Sequence, residues 1–486
     1  MNLKLKGVAV ATAGALFLGF GANAMADSTF DLVQALVAKG VLTEEEALPL
    51  LKGRENDIKL ADDKVKKQAK VGISDAVDNA TLYGDVRVRA EYREGEDNRP
   101  SSVEQHRTRT RYKLTTGVKT KAGDFYGDIA FAMGSGGRSD NATFGSTNGA
   151  NNKDTLFVKR AMIGWDATDW LTLEAGRMAN PLYTTSMVWD GDLTIEGLSE
   201  QFKFDFGNTN VFLTAFQAQY EGDRRTNSDG SITGTASTSN ELLAFQGGAK
   251  FKITDTVSGK AALTYYQYTN NNVEDSKTGI FTPARGNGTA LTGNVIPAVV
   301  GPPAVAAIRG NALATNDLKI IEIPAEVSFK TGGDIGFKVF GDYAFNLDGN
   351  KRYKAALANA IDAADIAAIR KAGNDDQAWL LGVGIDSKQG KKPQKGDWGA
   401  KLWYQDVGVY ALDPNTPDSD FMDSRVNMKG IVFKGEYALR DNVFVNLSAG
   451  KAQRKNDDIS AVGSGGDISL NIDDYELYQL DMTYKF

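Results

Sequence analysis

Cysteine is absent from the 486 residues, so neither a disulfide framework nor a thiolate metal site can form. Histidine occurs once, as His106, which removes multi-histidine metal centres and haem ligation and leaves histidine-dependent hydrolysis a single candidate. Proline is scarce at 11 residues while glycine reaches 52, a balance suited to many strands and tight turns. No segment supplies the about 20 consecutive apolar residues that a transmembrane helix needs. Any membrane insertion therefore has to be by strands closed into a barrel. The formal charge is −7, and loss of Lys4 and Lys6 with the leader described below takes it to −9, which argues against a nucleic-acid partner.

What is present begins with that leader. Lys4 and Lys6 precede an uncharged apolar run from Val8 to Phe20, and Ala24-Met25-Ala26 has the form of a cleavage site. Residues 1–26 read as a secretory signal peptide. Ser28–Asp31 and Thr43–Glu46 are capping boxes ahead of apolar residues at helical spacing, and Gly40 and Gly53 follow as helix stops. Residues 54–78 are charged, with a thin apolar seam at Ile58, Ala61 and Val65. The stretch 27–78 is expected to form a periplasmic helical hairpin and charged linker, either an oligomer or envelope tether or a solvated spacer.

From 79 to 486 the period changes to two, which means strands. Sixteen are expected, at 81–93, 105–121, from 125, 154–166, 170–178, 194–206, 210–220, 241–253, 256–269, 317–330, 334–345, 376–388, 396–406, 426–439, 442–452 and 474–486. Short turns alternate with long polar loops at 94–104, 134–153, 179–193, 221–240, 270–316, 346–375, 407–425 and 453–473. An even strand number with short connections on one side and long ones on the other is the pattern of bacterial outer-membrane barrels. The expected class is all-β: a transmembrane antiparallel β-barrel of about 16 strands with a short N-terminal periplasmic helical segment, wide enough for an aqueous channel. A soluble propeller or β-helix would show a repeat of 20–50 residues, and none is evident. Within the sixth loop, the Ala-rich 353–372 reads as one helix ending at Gly373.

Two constellations carry candidate chemistry. Arg87, Arg89 and Arg93 share one face of the first strand, and Arg107, Arg109, Arg111 and Lys113 share one face of the second. The strands are antiparallel neighbours, so the two rows should lie side by side inside the channel as a basic comb that concentrates anions. The bland alternative is that lumen faces simply carry charge. Close cations need counter-charge or water. The third long loop and the strand after it supply Asp190, Asp192 and Glu196 beside bulky Pro181, Tyr183 and Trp189. Acid on one wall facing arginine on the other would set up a transverse field; the competing reading is a surface cap. Asp457-Asp458 and Asp473-Asp474 lack the spacing of a calcium loop and read as solvated charge.

The last thirteen residues alternate strictly. Tyr478, Leu480, Met482, Tyr484 and Phe486 fall on one face, and Gln479, Asp481, Thr483 and Lys485 on the other. This resembles the terminal strand signal of bacterial outer-membrane barrels, and implies Tyr484 and Phe486 as a C-terminal assembly signal read by the barrel assembly machinery. Glu174-Ala175-Gly176-Arg177-Met178-Ala179-Asn180-Pro181, then Val188-Trp189-Asp190-Gly191-Asp192-Leu193 and Glu196-Gly197-Leu198, resemble the bacterial putative porin family, as does the KGVLTEEEA phrase at 39–47. The resemblance implies an outer-membrane channel, set in outer-membrane lipid, that passes small hydrophilic solutes with no cofactor and no catalytic residue. In general porins the third external loop folds inward, and 179–198 holds that position here. Related barrels are often trimers, which makes a homotrimer a candidate assembly, but no one apolar sector in the sequence marks which strands would form its face. The chain lacks the lysine-rich character of a dedicated phosphate porin. The competing function is a structural or adhesive outer-membrane barrel with a plugged lumen. An enzyme would have to use His106, which falls on the lipid-facing side of the second strand.

Overall fold

The computed structural model describes residues 77–96, 104–134, 139–145, 153–221, 240–269, 318–359, 363–387, 392–459, 467–468 and 472–486. The leader, the helical hairpin and the loop at 270–316 lie outside the described residues. The chain divides into two compact units, Met1–Thr81 with Thr120–Ala122, and Leu82–Lys119 with Gly123–Phe486. Nearly everything that follows concerns the second.

Sixteen long strands form it: β1 (Asn79–Glu96), β2 (Gln105–Ala122), β3 (Phe125–Gly134), β4 (Thr155–Thr168), β5 (Leu171–Ala179), β6 (Thr194–Phe206), β7 (Thr209–Glu221), β8 (Asn240–Lys252), β9 (Val257–Tyr268), β10 (Lys319–Lys330), β11 (Gly336–Asn346), β12 (Gln377–Asp386), β13 (Trp398–Val407), β14 (Met428–Arg440), β15 (Val443–Arg454) and β16 (Asp474–Lys485). Each pairs with the next, and β16 returns antiparallel to β1, from Asp85 opposite Lys485 to Glu96 opposite Asp474. Phe486 extends the seam, exchanging two backbone hydrogen bonds of 3.0 Å with Gly84. The result is a closed antiparallel barrel, which leaves no edge strand to template aggregation. A further two-residue strand, Ala142–Thr143, pairs with Arg111 and Tyr112 beyond the end of the shorter β3.

Closure turns the period of two into an inside and an outside. On β16, Tyr475, Leu477, Gln479, Asp481 and Thr483 are buried, while Tyr478 and Tyr484 are exposed. On β1, Arg89, Glu91 and Arg93 are buried and Leu82 and Val86 are exposed. The most exposed large apolar side chains include Ile129, Ile163, Leu198, Leu263 and Leu381, so the outer face is the greasy one, as lipid requires. Aromatic clusters flank that band. At the short-turn end Phe125 stacks on Trp165 with centroids 5.6 Å apart, and Trp170 on Phe202 and Phe204 at 6.1 Å. At the loop end Tyr92 meets Tyr478 at 6.3 Å and Trp379 meets Tyr404 at 5.3 Å.

Two expectations are corrected. The sixth loop holds two helices rather than one, α1 (Gly349–Asn359) and α2 (Ala363–Ala372). The second ends where expected, with the Gly373 N–H on Ile369 O at 3.0 Å, because Ile369 packs into a small cluster with Val409, Tyr410 and Ile459. More consequentially, the seventh loop is not a polar surface loop. Residues 407–417 and 421–428 are buried without a break. The apolar runs Val409–Leu412 and Phe421–Met422 drive that burial, and Asp413 and Asp423 bond to backbone N–H groups that burial would leave orphaned.

Candidate functional site

Both rows of the basic comb lie on inward faces of the neighbouring strands β1 and β2. Its partners are different from those expected. Arg89 Nε lies 2.7 Å from Asp481 on β16, and its Nη1 2.8 Å from Asp420 on the seventh loop. Arg93 meets Glu91 at 3.1 Å, Asp420 at 3.2 Å and Asp467 at 3.3 Å, with Asp423 at 3.8 Å. Arg109 is held by Glu91 at 2.6 Å and Asp467 at 2.7 Å, and Arg107 reaches Asp467 at 3.2 Å. Arg87 has Asp481 at 3.6 Å and donates to Asn141 at 2.6 Å. Lys113 lies 3.4 Å from Asp192. Arg111 donates to Ser139 Oγ at 2.9 Å and, among the described residues, is the comb cation without a carboxylate. The counter-charge thus comes chiefly from the strands themselves and from the seventh and eighth loops, not from the third. Burial forces this: Arg89 and Arg93 are no more than 3% exposed, and an unpaired buried charge is prohibitively costly.

The seventh loop reaches the comb through a strained turn. Met422, Asp423 and Ser424 have φ of 58°, 52° and 55°, a left-handed run of non-glycine residues. Each such residue costs on the order of 1–3 kcal/mol, so the surroundings must over-determine it. They do. The Asp423 carboxylate accepts the N–H groups of Asp467 at 3.2 Å and Ile468 at 3.4 Å, and Ser424 Oγ donates to Pro417 O at 2.9 Å. Phe421 packs on Tyr475 and over Gly450, where an added Cβ would sit 2.7 Å from its ring. Burial alone would raise the Asp420 carboxyl, but Arg89, Arg93 and Lys434 hold it well below the ordinary aspartate range. Asp467 is lowered likewise, against its own burial, by Arg93 and Arg109.

The third loop runs along the inward faces of β8–β11. Tyr183 N–H donates to Gln246 at 2.9 Å, Thr184 Oγ1 to Glu322 at 2.5 Å, and Thr185 Oγ1 to Asp342 at 2.5 Å. It is tied to the seventh loop by Asp190 N–H on Thr416 O at 2.6 Å and Asp418 N–H on Ser186 O at 2.9 Å. Asp190 spends its carboxylate on the N–H groups of Asp192, at 2.9 Å, and Ser419, at 3.4 Å, so it shapes the loop junction. Asp192 faces cations as expected, 3.4 Å from Lys113 and 3.7 Å from Lys159. Burial would raise its carboxyl, and Lys113 and Lys159 hold it lower. Glu196 does not belong to this group. On β6 Ile195 is buried and Leu198 exposed, so the alternation turns Glu196 outward, where it pairs with Arg177. Tyr484 and Phe486 are neighbours on the outer face at the seam, with centroids 6.0 Å apart. His106 is also outward and 64% exposed, 3.8 Å from Glu104.

A second basic row escaped the sequence reading. Lys250 on β8 lies directly opposite Lys260 on β9, and Lys401 on β13 directly opposite Lys434 on β14. Lys338 on β11 shares the row, with Gly384 of β12 between it and Lys401. All five share the face of buried neighbours such as Gln246, Thr264, Asp342, Trp403 and Val432, so they point inward. The signal was available: these positions are the polar members of alternating strands, but they are one or two per strand and line up only once register is fixed.

A model of the family described as "Putative porin" matches residues 96–456. No curated protein matches in sequence. Among solved structures, the chain is similar to the outer membrane channel DcaP of Acinetobacter baumannii, with 14% identity, TM-score 0.38 and coverage of 85% of this chain and 99% of that one. It is similar to OprB of Pseudomonas putida at 10% identity and TM-score 0.44, over 83% and 94% of the two chains. OmpF of Salmonella typhi, solved in a complex with daunomycin, gives 10% identity and TM-score 0.42 over 85% and 99%. With the family model spanning β2 through β15, this barrel belongs to the putative porin family.

Proposed function

We propose that the protein is a passive diffusion channel of the bacterial outer membrane for small hydrophilic solutes and ions. Its lumen is narrowed by the third loop, folded inward, and by the seventh loop joined to it. The single observation that carries this reading is the junction between them: Asp190 to Thr416 and Asp418 to Ser186 brace two loops that each bond to inward strand faces. Bracing fixes an aperture rather than leaving it to fluctuate. Transport then needs no cofactor and no moving part; a solute crosses down its gradient past fixed charges. The C-terminal strand, with Tyr484 and Phe486 outward, is the element offered to the barrel assembly machinery.

The outer face favours a homotrimer. Arg177 pairs with Glu196, and Gln217 donates to Glu200 at 3.1 Å, on the face that also carries Leu198 and Leu213. Charge on a lipid face costs up to about 2–4 kcal/mol at the bilayer centre and about 0–1 kcal/mol near its edges. Arg177 and Glu196 lie near the loop ends of β5 and β6 and Glu200 deeper, so we assign this sector of β5–β7 to contact between copies of the chain. An Arg177→Leu, Glu196→Leu pair should shift the protein from trimer towards monomer in detergent, read by native mass spectrometry.

Single-channel recording in a planar bilayer tests the main reading. Discrete conductance steps are expected from the folded protein. Silence from folded protein would instead favour an adhesive or structural barrel.

A further inference from the structure

The two basic rows differ in what faces them. On the arginine side every comb cation but Arg111 has a carboxylate within ion-pair distance. On the lysine side, Lys338 meets Glu326 at 2.9 Å and Lys434 meets Asp418 at 3.5 Å. Among the described residues Lys250, Lys260 and Lys401 have no carboxylate within ion-pair distance. The register sets Glu326 directly opposite Lys260 and diagonal to Lys338. Asp386, Glu436 and the third-loop partners Glu322 and Asp342 are further acids on the inward face of this wall.

The register sharpens the point. Like charges directly opposite one another across an antiparallel pair are destabilising, and this wall has two such pairs, Lys250 with Lys260 and Lys401 with Lys434. At Gly384, between Lys338 and Lys401, a Cβ would lie 3.7 Å from Lys338 Cβ and 3.5 Å from Lys401 Cγ, so those lysines flank a bare backbone position. The row meets the third loop at one place: Lys260 Nζ sits 3.5 Å from the centroid of the Tyr183 ring. A cation held over an aromatic face keeps its charge and offers its remaining N–H groups elsewhere.

We infer that Lys250, Lys260, Lys338, Lys401 and Lys434 form an anion ladder, and that the solutes the channel favours are small anions bearing an ionised carboxylate or phosphate. The inference rests on the channel reading and names its solute class. An anion passing the Tyr183–Lys260 contact exchanges water for one ammonium after another across β8–β14. Several weak sites in a row suit conduction better than one strong site. The arginine comb, neutralised and buried, holds the seventh loop in place and contributes little to selectivity.

The test is the reversal potential of the purified protein in a planar bilayer across a potassium chloride gradient, then with inorganic phosphate added to one side. Chloride should be favoured over potassium, and phosphate should lower the chloride current. A Lys250→Gln, Lys260→Gln, Lys401→Gln variant should lose about threefold or more of the anion preference and its sensitivity to phosphate. The single variants Lys260→Gln and Lys401→Gln carry the same prediction at smaller size, so misfolding of the triple variant does not decide the matter. Steps with potassium preference in the native protein, or anion preference unchanged in the variants, overturn the ladder while leaving the channel. Absence of steps from folded protein overturns the channel reading, and the ladder with it.

Discussion

The arginines of β1 and β2 and the lysines of β8 to β14 bear the same charge on the inward face of the same barrel, yet they sit in opposite conditions. Arg89, Arg93 and Arg109 are buried among Glu91, Asp420, Asp467 and Asp481. Lys250 and Lys401 are exposed to the lumen and face other lysines. Residue type fits each role. A guanidinium presents several donors in a fixed plane and can satisfy two or three carboxylates at once, whereas an ammonium on a flexible stem is a mobile point charge. The lesson is that a row of cations on a pore wall is not by itself a selectivity element; what counts is whether anything inside the protein already answers the charge.

Breaking the arginine wall should have the largest effect. Arg93→Ala leaves Glu91, Asp420, Asp423 and Asp467 short of a buried partner, and loss of one member of such a network costs about 3–5 kcal/mol. The expected outcome is a lower unfolding midpoint and a noisier, larger conductance as the seventh loop loosens, read by denaturant titration and single-channel recording. Next in size, Gly450→Leu should drive Phe421 off β15 at a cost of about 1–3 kcal/mol, with the same direction of change in conductance. A smaller effect is expected from acid. The Asp420 and Asp467 carboxyls lie below their ordinary range, so the stability they contribute is present above about pH 4 and is lost as pH falls through their folded values. Asp423, which burial raises despite Arg425, acts in the opposite sense, so the window of loss belongs to Asp420 and Asp467. Conductance recorded from pH 6 down to pH 3 should rise only in the lowest part of that range.

The barrel was legible because lipid outside and water inside write a period of two directly into each strand, and turn lengths alternate with topology. All sixteen strands lie within a few residues of where the alternation places them, and the inward orientation of Arg87 to Arg93 followed from parity alone. The site was legible only in part, because counter-charges come from loops whose path no local pattern encodes. Asp420, Asp423 and Asp467 are distant in sequence from the arginines they neutralise. The clue to the seventh loop was its composition: Val409, Tyr410, Leu412, Phe421 and Met422 are too apolar for a solvated loop. Glu196 was grouped with the loop acids because the inward-folding segment was carried through residue 198, across the start of strand β6, whose parity turns Glu196 outward. The lysine row was missed because it exists across strands rather than along them, and its absence from the linear sequence made the chain look poor in lysine where it matters.

The smallest expected effect is also the one that separates the two walls most cleanly. Lys401→Gln removes a cation that has, among the described residues, no carboxylate within ion-pair distance and that faces Lys434 directly. No buried acid is orphaned, and a like-charge contact is relieved, so the unfolding free energy should change by less than about 0.5 kcal/mol, and upward if at all. The same neutralisation at Arg93 should cost several times more for the reason already given. If the two substitutions destabilise equally in denaturant titration, the lysine wall is as structurally engaged as the arginine wall and the distinction between them fails. If Lys401→Gln is silent in stability yet lowers anion preference, charge on this wall is maintained against stability for the sake of what passes by it, since nothing in the packing of β12 to β14 requires an ammonium there.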